Sequence, residues 1–175
     1  MTPLVPVRQR LAAYFVTLVD HPAYLLLVAA LAFAGTVTAT LPVTVLLVAA
    51  ILPAPRRWLV IVLAAVAGSA SGATVLLTLF HTWGWAEIVA RFPELGHSPA
   101  YATATAWIDQ FGLSALAVIA ATPMPQTPAL FLCALGNYAP ASVFVAVAVG
   151  KLAKYGCVGW LISRFPERFR RGARP

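Results

Sequence analysis

Charge is what this chain of 175 residues has least of. Only 10% of its side chains are Asp, Glu, Lys or Arg, and five of those are acidic. An ordinary soluble domain carries about 25% charged residues, so the usual hydrated surface is excluded. No carboxylate falls inside any of the long apolar tracts, which removes paired intramembrane carboxylates as a catalytic or ion-coupling device. Cysteine is also scarce. Cys133 and Cys157 lie in separate apolar tracts without metal-ligand spacing and read as small buried hydrophobes, neither a disulfide nor a metal pair. His81 and His97 have no nearby carboxylate pattern and read as loop or interface residues. HExxH, Walker and Rossmann patterns are missing, and Ser69, Ser71, Ser114 and Ser142 have no identifiable histidine partner. The expectation is a protein that is not an enzyme and needs no cofactor or metal. No A-x-A-like site follows the first apolar run, so no cleavable signal peptide is expected.

What the chain has instead is apolar length. It is 61% hydrophobic, and three uncharged tracts dominate: Pro22 to Pro55, Trp58 to Ala86, and Gln110 to Gly150. Each is long enough to reach across roughly 30 Å of hydrocarbon. The fold class expected is an all-α polytopic membrane protein forming a single membrane domain, residues 1–175. The net charge of +7 is distributed as a membrane topology signal rather than as a nucleic-acid surface. Arg8 and Arg10 precede the first tract, Arg56 and Arg57 separate the first two, and Arg164, Arg168, Arg170, Arg171 and Arg174 follow the last. The connector 81–109 holds Glu87, Glu94 and Asp109 against Arg91 alone. Basic residues concentrate on the cytoplasmic side, which puts both termini and the Arg56–Arg57 turn there. The expected location is the cell inner membrane, multi-pass.

The chain divides into five stretches. Residues 1–21 suit an interfacial N-terminal helix, basic then apolar over 7–19 and followed by Asp20 as a helix cap. Residues 22–80 form a first repeat: an apolar arm to about 39, a break around Thr40, Leu41 and Pro42, and a short arm Val43 to Leu52. A Pro-Arg turn and a full span, Trp58 to Phe80, complete it. The short arm would rise roughly 15 Å, half the hydrocarbon thickness, so it cannot cross alone and fits a re-entrant hairpin. Residues 81–109 form an outer connector with Trp83 and Trp85 as interfacial anchors. Residues 110–163 repeat the order at an offset of about 82. Gln110 to Ala121 descends, Thr122 to Pro128 breaks, Ala129 to Leu135 returns, and Ala141 to Ser163 spans. One span separates the copies, so their orientations are opposite, as in the inverted repeats of secondary transporters. Residues 164–175 are a basic cytoplasmic tail.

The prolines carry the functional reading. Each removes a backbone donor and clashes with the preceding turn, and non-helical backbone survives at membrane depth only beside protein or a water-filled cavity. Thr38, Thr40, Pro42 and Thr44 in the first break are expected to line a path. So are Thr122, Pro123, Pro125, Gln126 and Thr127 in the second. Their freed N–H groups and hydroxyls suit anions or polar headgroups, and they equally serve to satisfy the backbone around each proline. Lys151 and Lys154 stand near the middle of the last span, three residues apart and therefore on one helix face. A lysine at that depth costs at least about 2.5 kcal/mol and normally faces the bundle interior, an anion or a cavity. No acidic residue in the three apolar tracts neutralises them, so the counter-charge expected is a ligand's phosphate. The alternative is that they snorkel toward an interface, for which Lys154, roughly 13 Å from Ser163 along the axis, is far, unless the helix is shifted so that Lys151 lies near its end. Gly68, Ser69, Ser71 and Gly72 form a small-residue face for helix packing, GxxxG with two serines, which leaves room for a homodimer.

The layout resembles the DedA family, whose shared unit is also called the VTT or SNARE-associated domain, and is most similar to its short members. The resemblance covers about Ala23 to Phe165. It is carried by Leu41-Pro42-Val43-Thr44, Leu46-Leu47, Pro55-Arg56-Arg57-Trp58, and Ala67-Gly68-Ser69 with Gly72-Ala73. Pro123-x-Pro125, Ala134-Leu135-Gly136 and Phe144-x5-Gly150-Lys151-x2-Lys154-Tyr155 complete it. It implies two re-entrant hairpins meeting inside an inverted repeat, and lipid translocation of a polyprenyl-phosphate carrier or of phospholipids. Many members carry acidic residues in the first re-entrant segment and an arginine in the second. Gly35 and Thr44 stand at the comparable places here, and no arginine occurs between Gln110 and Gly150. Proton coupling through such carboxylates is therefore not carried over, whereas the Lys151 and Lys154 pair is.

The function expected is a lipid transporter or flippase that moves an anionic headgroup, with membrane lipids as its partners and no nucleic acid. Two other classes stay open. One is a non-transporting membrane scaffold whose tail recruits a partner. The other is a small-solute or ion transporter, which needs a hydrated pore that thiol reagents could enter at Cys133.

Overall fold

The structure, a computed structural model, describes residues 21, 23–38, 43–91 and 99–165, side chains at 84–89, 91 and 100 excepted. The expected interfacial helix 7–19 with its Asp20 cap, the break residues Thr40 and Pro42, His97, and the tail beyond Phe165 lie outside them. Every regular element among the described residues is helical: α1 Ala23–Thr38, α2 Val43–Ile51, a 3₁₀ turn Pro55–Arg57, and α3 Trp58–Arg91. Then follow α4 Pro99–Phe111, α5 Leu113–Ala121, α6 Thr127–Leu135 and α7 Pro140–Arg164. Two helices are long and apolar enough to cross a membrane, Pro55–Trp83 and Pro140–Arg164, and α1 is a shorter apolar helix. Leu26, Val45, Leu63, Val145, Val149 and Trp160 are exposed.

Local chemistry explains where the helices stop. α2 ends because Pro53 and Pro55 follow it, and the Tyr24 hydroxyl donates to the carbonyl of Ala50 at 2.7 Å, satisfying one of its orphan acceptors. That bond joins the end of α2 to the beginning of α1, so the two helices form a hairpin. α5 ends at Thr122, held extended (φ −89°, ψ 170°) because Pro123 disfavours the helical region for the residue before it. α6 ends in a left-handed Asn137 (φ 53°), with Tyr138 N–H bonded to the Cys133 carbonyl at 3.0 Å. Tyr138 in turn reaches back to Gly112, the break before α5, closing a second hairpin.

Two boundaries differ from those the sequence suggests. α3 does not stop at Phe80 but continues to Arg91. The single glycine on the way, Gly84, costs only about 1 kcal/mol in a helix, and no proline intervenes before Pro93. The connector 81–109 is therefore largely helix, and His81 is an exposed residue of α3 rather than of a loop. The second half also begins later than Gln110. α4 runs through that position, and the chain turns at Gly112, whose φ of +56° few other residues adopt without strain.

The long helices run antiparallel. Gly159 of α7 lies against Val62 and Trp58 of α3, and Tyr155 against Ser69. Each carries a shorter helix across a glycine. At Gly68 of α3 a Cβ would sit 2.0 Å from the carbonyl oxygen of Ala29 in α1, and at Gly150 of α7 it would sit 2.1 Å from that of Ala117 in α5. Gly72 makes a similar approach to Phe33 and Thr36. The GxxxG face is thus occupied by α1 of the same chain and is not a lipid-facing surface open to a second copy. Ser71 faces outward and takes no part in that packing, while Ser69 is fully buried.

The core separates into two clusters. One gathers α1, α2, the first half of α3 and the last part of α7, and the other gathers α4, α5, α6, the second half of α3 and the first part of α7. α2 packs against α7 and α6 against α3, so each short arm touches the long helix of the other half. Cys133 is fully buried in the second cluster, as expected. Cys157 is exposed on α7, contrary to expectation, because it lies on the helix face turned away from both clusters. Threonine hydroxyls on α3 and α4 are satisfied within their own helices. Thr74 donates to Ala70, Thr78 to Thr74 and Thr105 to Tyr101 at 2.9 to 3.0 Å, which removes most of the cost of a hydroxyl in an apolar medium.

Candidate anion-binding site

Where the two hairpins converge on α7 the structure leaves a half-open cavity of about 390 Å³. The first hairpin contributes Gly35 and Thr36 from the end of α1 and Val43 and Thr44 from the start of α2. The second contributes Ala120, then Pro123, Met124, Pro125, Gln126 and Thr127 from the break into α6. α7 contributes Lys151, Lys154 and Tyr155. No carboxylate among the described residues lines it.

The residues expected from sequence largely converge here. Lys151, Lys154, Thr44, Pro123, Pro125, Gln126 and Thr127 all line the cavity. Thr122 does so indirectly, through a carbonyl that accepts a bond from Lys154 Nζ at 2.7 Å. Thr38 does not: it is exposed and its hydroxyl donates to the Ala34 carbonyl within α1 at 2.8 Å. Its side chain lies just over half a turn beyond Thr36, on the far face of the helix. Sequence reasoning missed Thr36, Met124 and Tyr155. The Gly150-Lys151-x2-Lys154-Tyr155 run could have pointed to Tyr155, four residues from Lys151 and so on the same face. Nothing in the sequence separates Thr36 from Thr38.

The two lysines are held differently. Lys151 is 92% buried (8% exposed), and its ammonium lies 5.6 Å from the centre of the Tyr155 ring. That cation–π contact offsets part of its desolvation. Lys154 is half-buried and caps α5, since the Thr122 carbonyl is one of the acceptors a helix leaves unpaired and Pro123 prevents another turn from taking it. An ammonium has three donors, so that bond leaves capacity for an anion. The Tyr155 hydroxyl pairs with that of Ser69 at 3.3 Å, tying α7 to α3 behind Lys151.

Backbone electrostatics add to the side chains. α2 and α6 are nine residues each, and the opening residues of both, Val43 and Thr127, face the cavity. A helix N-terminus carries roughly half a positive charge with N–H groups aimed outward. Two N-termini and two ammonium groups around one space form a site for a group of concentrated negative charge, with backbone and side-chain donors suited to tetrahedral oxygens.

No protein-family model, curated protein or solved structure matches the chain. The functional reading accordingly rests on this cavity.

The Ser69–Tyr155 link gives one expected result of its own. Tyr155→Phe should keep the ring beside Lys151 and lose only the hydroxyl, lowering stability by about 1 kcal/mol, because Ser69 can turn toward its own helix backbone. Thermal unfolding in detergent measures it. A loss several times larger would show that the link, not the ring, holds the two long helices.

Proposed function

We propose that this chain is a multi-pass inner-membrane protein that moves anionic lipid headgroups across the bilayer, with its termini on the cytoplasmic side. The observation that carries the reading is the cavity in which two broken helical hairpins and two lysines converge without a carboxylate among the described residues. A simple packing unit gains nothing from cations without a carboxylate partner, which at bilayer depth cost about 2.5 kcal/mol or more each.

In this reading the hairpins α1–α2 and α5–α6 are re-entrant and belong to an inverted repeat. Both short arms, nine residues long, would rise only about 13 Å, too little to cross hydrocarbon of roughly 30 Å. α3 and α7 then cross fully in opposite directions, so the hairpins enter from opposite leaflets. From Trp58 to Gly72, level with the first tip, α3 rises roughly 20 Å, which is deep in the bilayer. The basic Arg56–Arg57 turn stands on the cytoplasmic side, as the positive-inside rule requires. The pattern-level resemblance to the DedA family points the same way, including its polyprenyl-phosphate or phospholipid cargo. The small-solute alternative needs a hydrated path to Cys133, which is fully buried in apolar side chains.

The headgroup phosphate would bind between Lys151 and Lys154, with the N-termini of α2 and α6 completing its shell. Acyl or prenyl tails would stay in the surrounding lipid, since the cavity holds a headgroup and not a chain. The test is lipid flip in vesicles containing the full-length protein, read by quenching of a fluorescent anionic lipid from one side. Wild type should equilibrate the label between leaflets. Lys151→Ala with Lys154→Ala should slow this at least about 100-fold, since each charge-assisted hydrogen bond is worth about 1.5–3 kcal/mol. An inactive wild type would favour the scaffold reading, and an unaffected double variant would remove the phosphate assignment.

A further inference from the structure

Resting on that reading of the cavity, we propose that Thr36 is a third ligand-contacting residue, the neutral hydroxyl that completes the phosphate site from the opposite half of the protein. Thr36 is 7% exposed, lines the same cavity as Lys151, and its Oγ1 is buried without a hydrogen-bond partner among the described residues. Thr38, Thr74 and Thr78 of the first half behave differently: each donates to a carbonyl of its own helix at 2.8 to 3.0 Å. A buried hydroxyl left unpaired carries a desolvation penalty with no return. An anion arriving in the cavity would supply the missing acceptor once rotation about χ1 carries Oγ1 to a staggered position that reaches the space.

The position is built for such a role. Gly72 of α3 faces Thr36, and a Cβ there would stand 3.2 Å from the threonine Cβ. The glycine lets α1 come close enough to α3 for Thr36 to reach the cavity wall. Thr36 belongs to the first hairpin, whereas Lys151 and Lys154 belong to the second half. A phosphate held by all three bridges the halves, and the hydroxyl adds direction to what the ammonium groups contribute as charge.

The experiment uses the purified full-length protein in detergent and an alkyl phosphate as probe, with the alkyl alcohol of the same chain as the uncharged control. Thr36→Val keeps the shape and removes the hydroxyl; Thr36→Ser keeps the hydroxyl. The valine variant should bind alkyl phosphate on the order of ten-fold more weakly, the serine variant within about two-fold of wild type, and the alcohol should not distinguish them. Without probe, the valine variant should melt at the wild-type temperature or above it, since it replaces an unpaired polar group. Wild-type affinity in Thr36→Val, alongside lost affinity in Lys151→Ala, would overturn the Thr36 assignment alone. Wild-type affinity in both would overturn the cavity reading itself. A melting temperature several degrees lower in the valine variant would show that the hydroxyl serves the fold.

Discussion

Gly150→Ala is expected to destabilise the protein by about 3 kcal/mol or more, whereas Gly156→Ala, on the same helix, should leave stability unchanged or raise it by up to about 1 kcal/mol. The intrinsic effect of the substitution is favourable in both, because alanine is the better helix former. Surroundings decide the sign. A Cβ at Gly150 would stand 2.1 Å from the Ala117 carbonyl oxygen and 2.9 Å from the Ala120 Cβ, while at Gly156 nothing lies within 4 Å. The obstacle at Gly150 is helix backbone, which cannot turn aside as a flexible side chain would. α5 and α7 would have to separate, and overpacking of that kind costs typically 1–3 kcal/mol and sometimes more. α5 also leads into the Thr122–Gln126 break, so the separation would pull the Thr122 carbonyl from Lys154 and open the cavity. Gly68→Ala should behave like Gly150→Ala, since its Cβ would meet the Ala29 carbonyl at 2.0 Å. Thermal unfolding in detergent of the three variants is the check. Equal behaviour of Gly150→Ala and Gly156→Ala would mean that α5 does not pack on α7 as described.

The second large effect has opposite signs for stability and activity. Lys151→Met should raise stability by about 1–2 kcal/mol and abolish lipid flip. Methionine fills nearly the same elongated space without a charge. A lysine at bilayer depth costs about 2.5–3.5 kcal/mol, of which the contact with the Tyr155 ring returns about 0.5–2 kcal/mol. The difference is what the protein gives up to keep an ammonium group beside the cavity. Lys154→Met should go the other way and lower stability by about 1–3 kcal/mol, because it strips the Thr122 carbonyl of the donor that caps α5. One lysine is thus retained against stability and the other partly for it. Denaturant titration of both variants beside the flip assay separates the roles. A destabilised Lys151→Met would show that the ammonium is satisfied by the protein itself and is not held for a ligand.

Much of the architecture could be read from prolines and charge. Pro42, Pro53 and Pro55 in the first half, and Pro123, Pro125 and Pro140 in the second, mark boundaries near which the described helices begin or end. Proline acts locally, by removing an N–H and restricting its predecessor, so its effect does not depend on the rest of the fold. The misplaced boundaries fall where no such signal exists. Residues 81–91 carry charge and tryptophan, which suggested a loop, yet nothing there stops a helix already propagating. Gly112 turns the chain through a positive φ that a lone glycine in a sequence does not announce.

The candidate site was legible in part for the same reason. Lys151 and Lys154 stand out because a cation in an apolar tract is anomalous whatever surrounds it. Thr36 and Thr38 are identical in type and two residues apart, and only the packing of α1 on Gly68 and Gly72 turns one toward the cavity and the other outward. Likewise the small-residue face reads equally as a seam within the chain or between copies, and the approach of Ala29 to Gly68 selects the first.

By itself the sequence determined helix, apolar length, the two breaks and the anomalous lysine pair, because each follows from a residue's own covalent chemistry and its cost in an apolar medium. Tertiary structure alone decided that the residues flanking the first break, the second break and both lysines face one cavity, and which hydroxyl joins them. Those are matters of helix rotation and interhelical distance, set by a few glycines that let backbones touch, and no one-dimensional pattern encodes an angle about an axis.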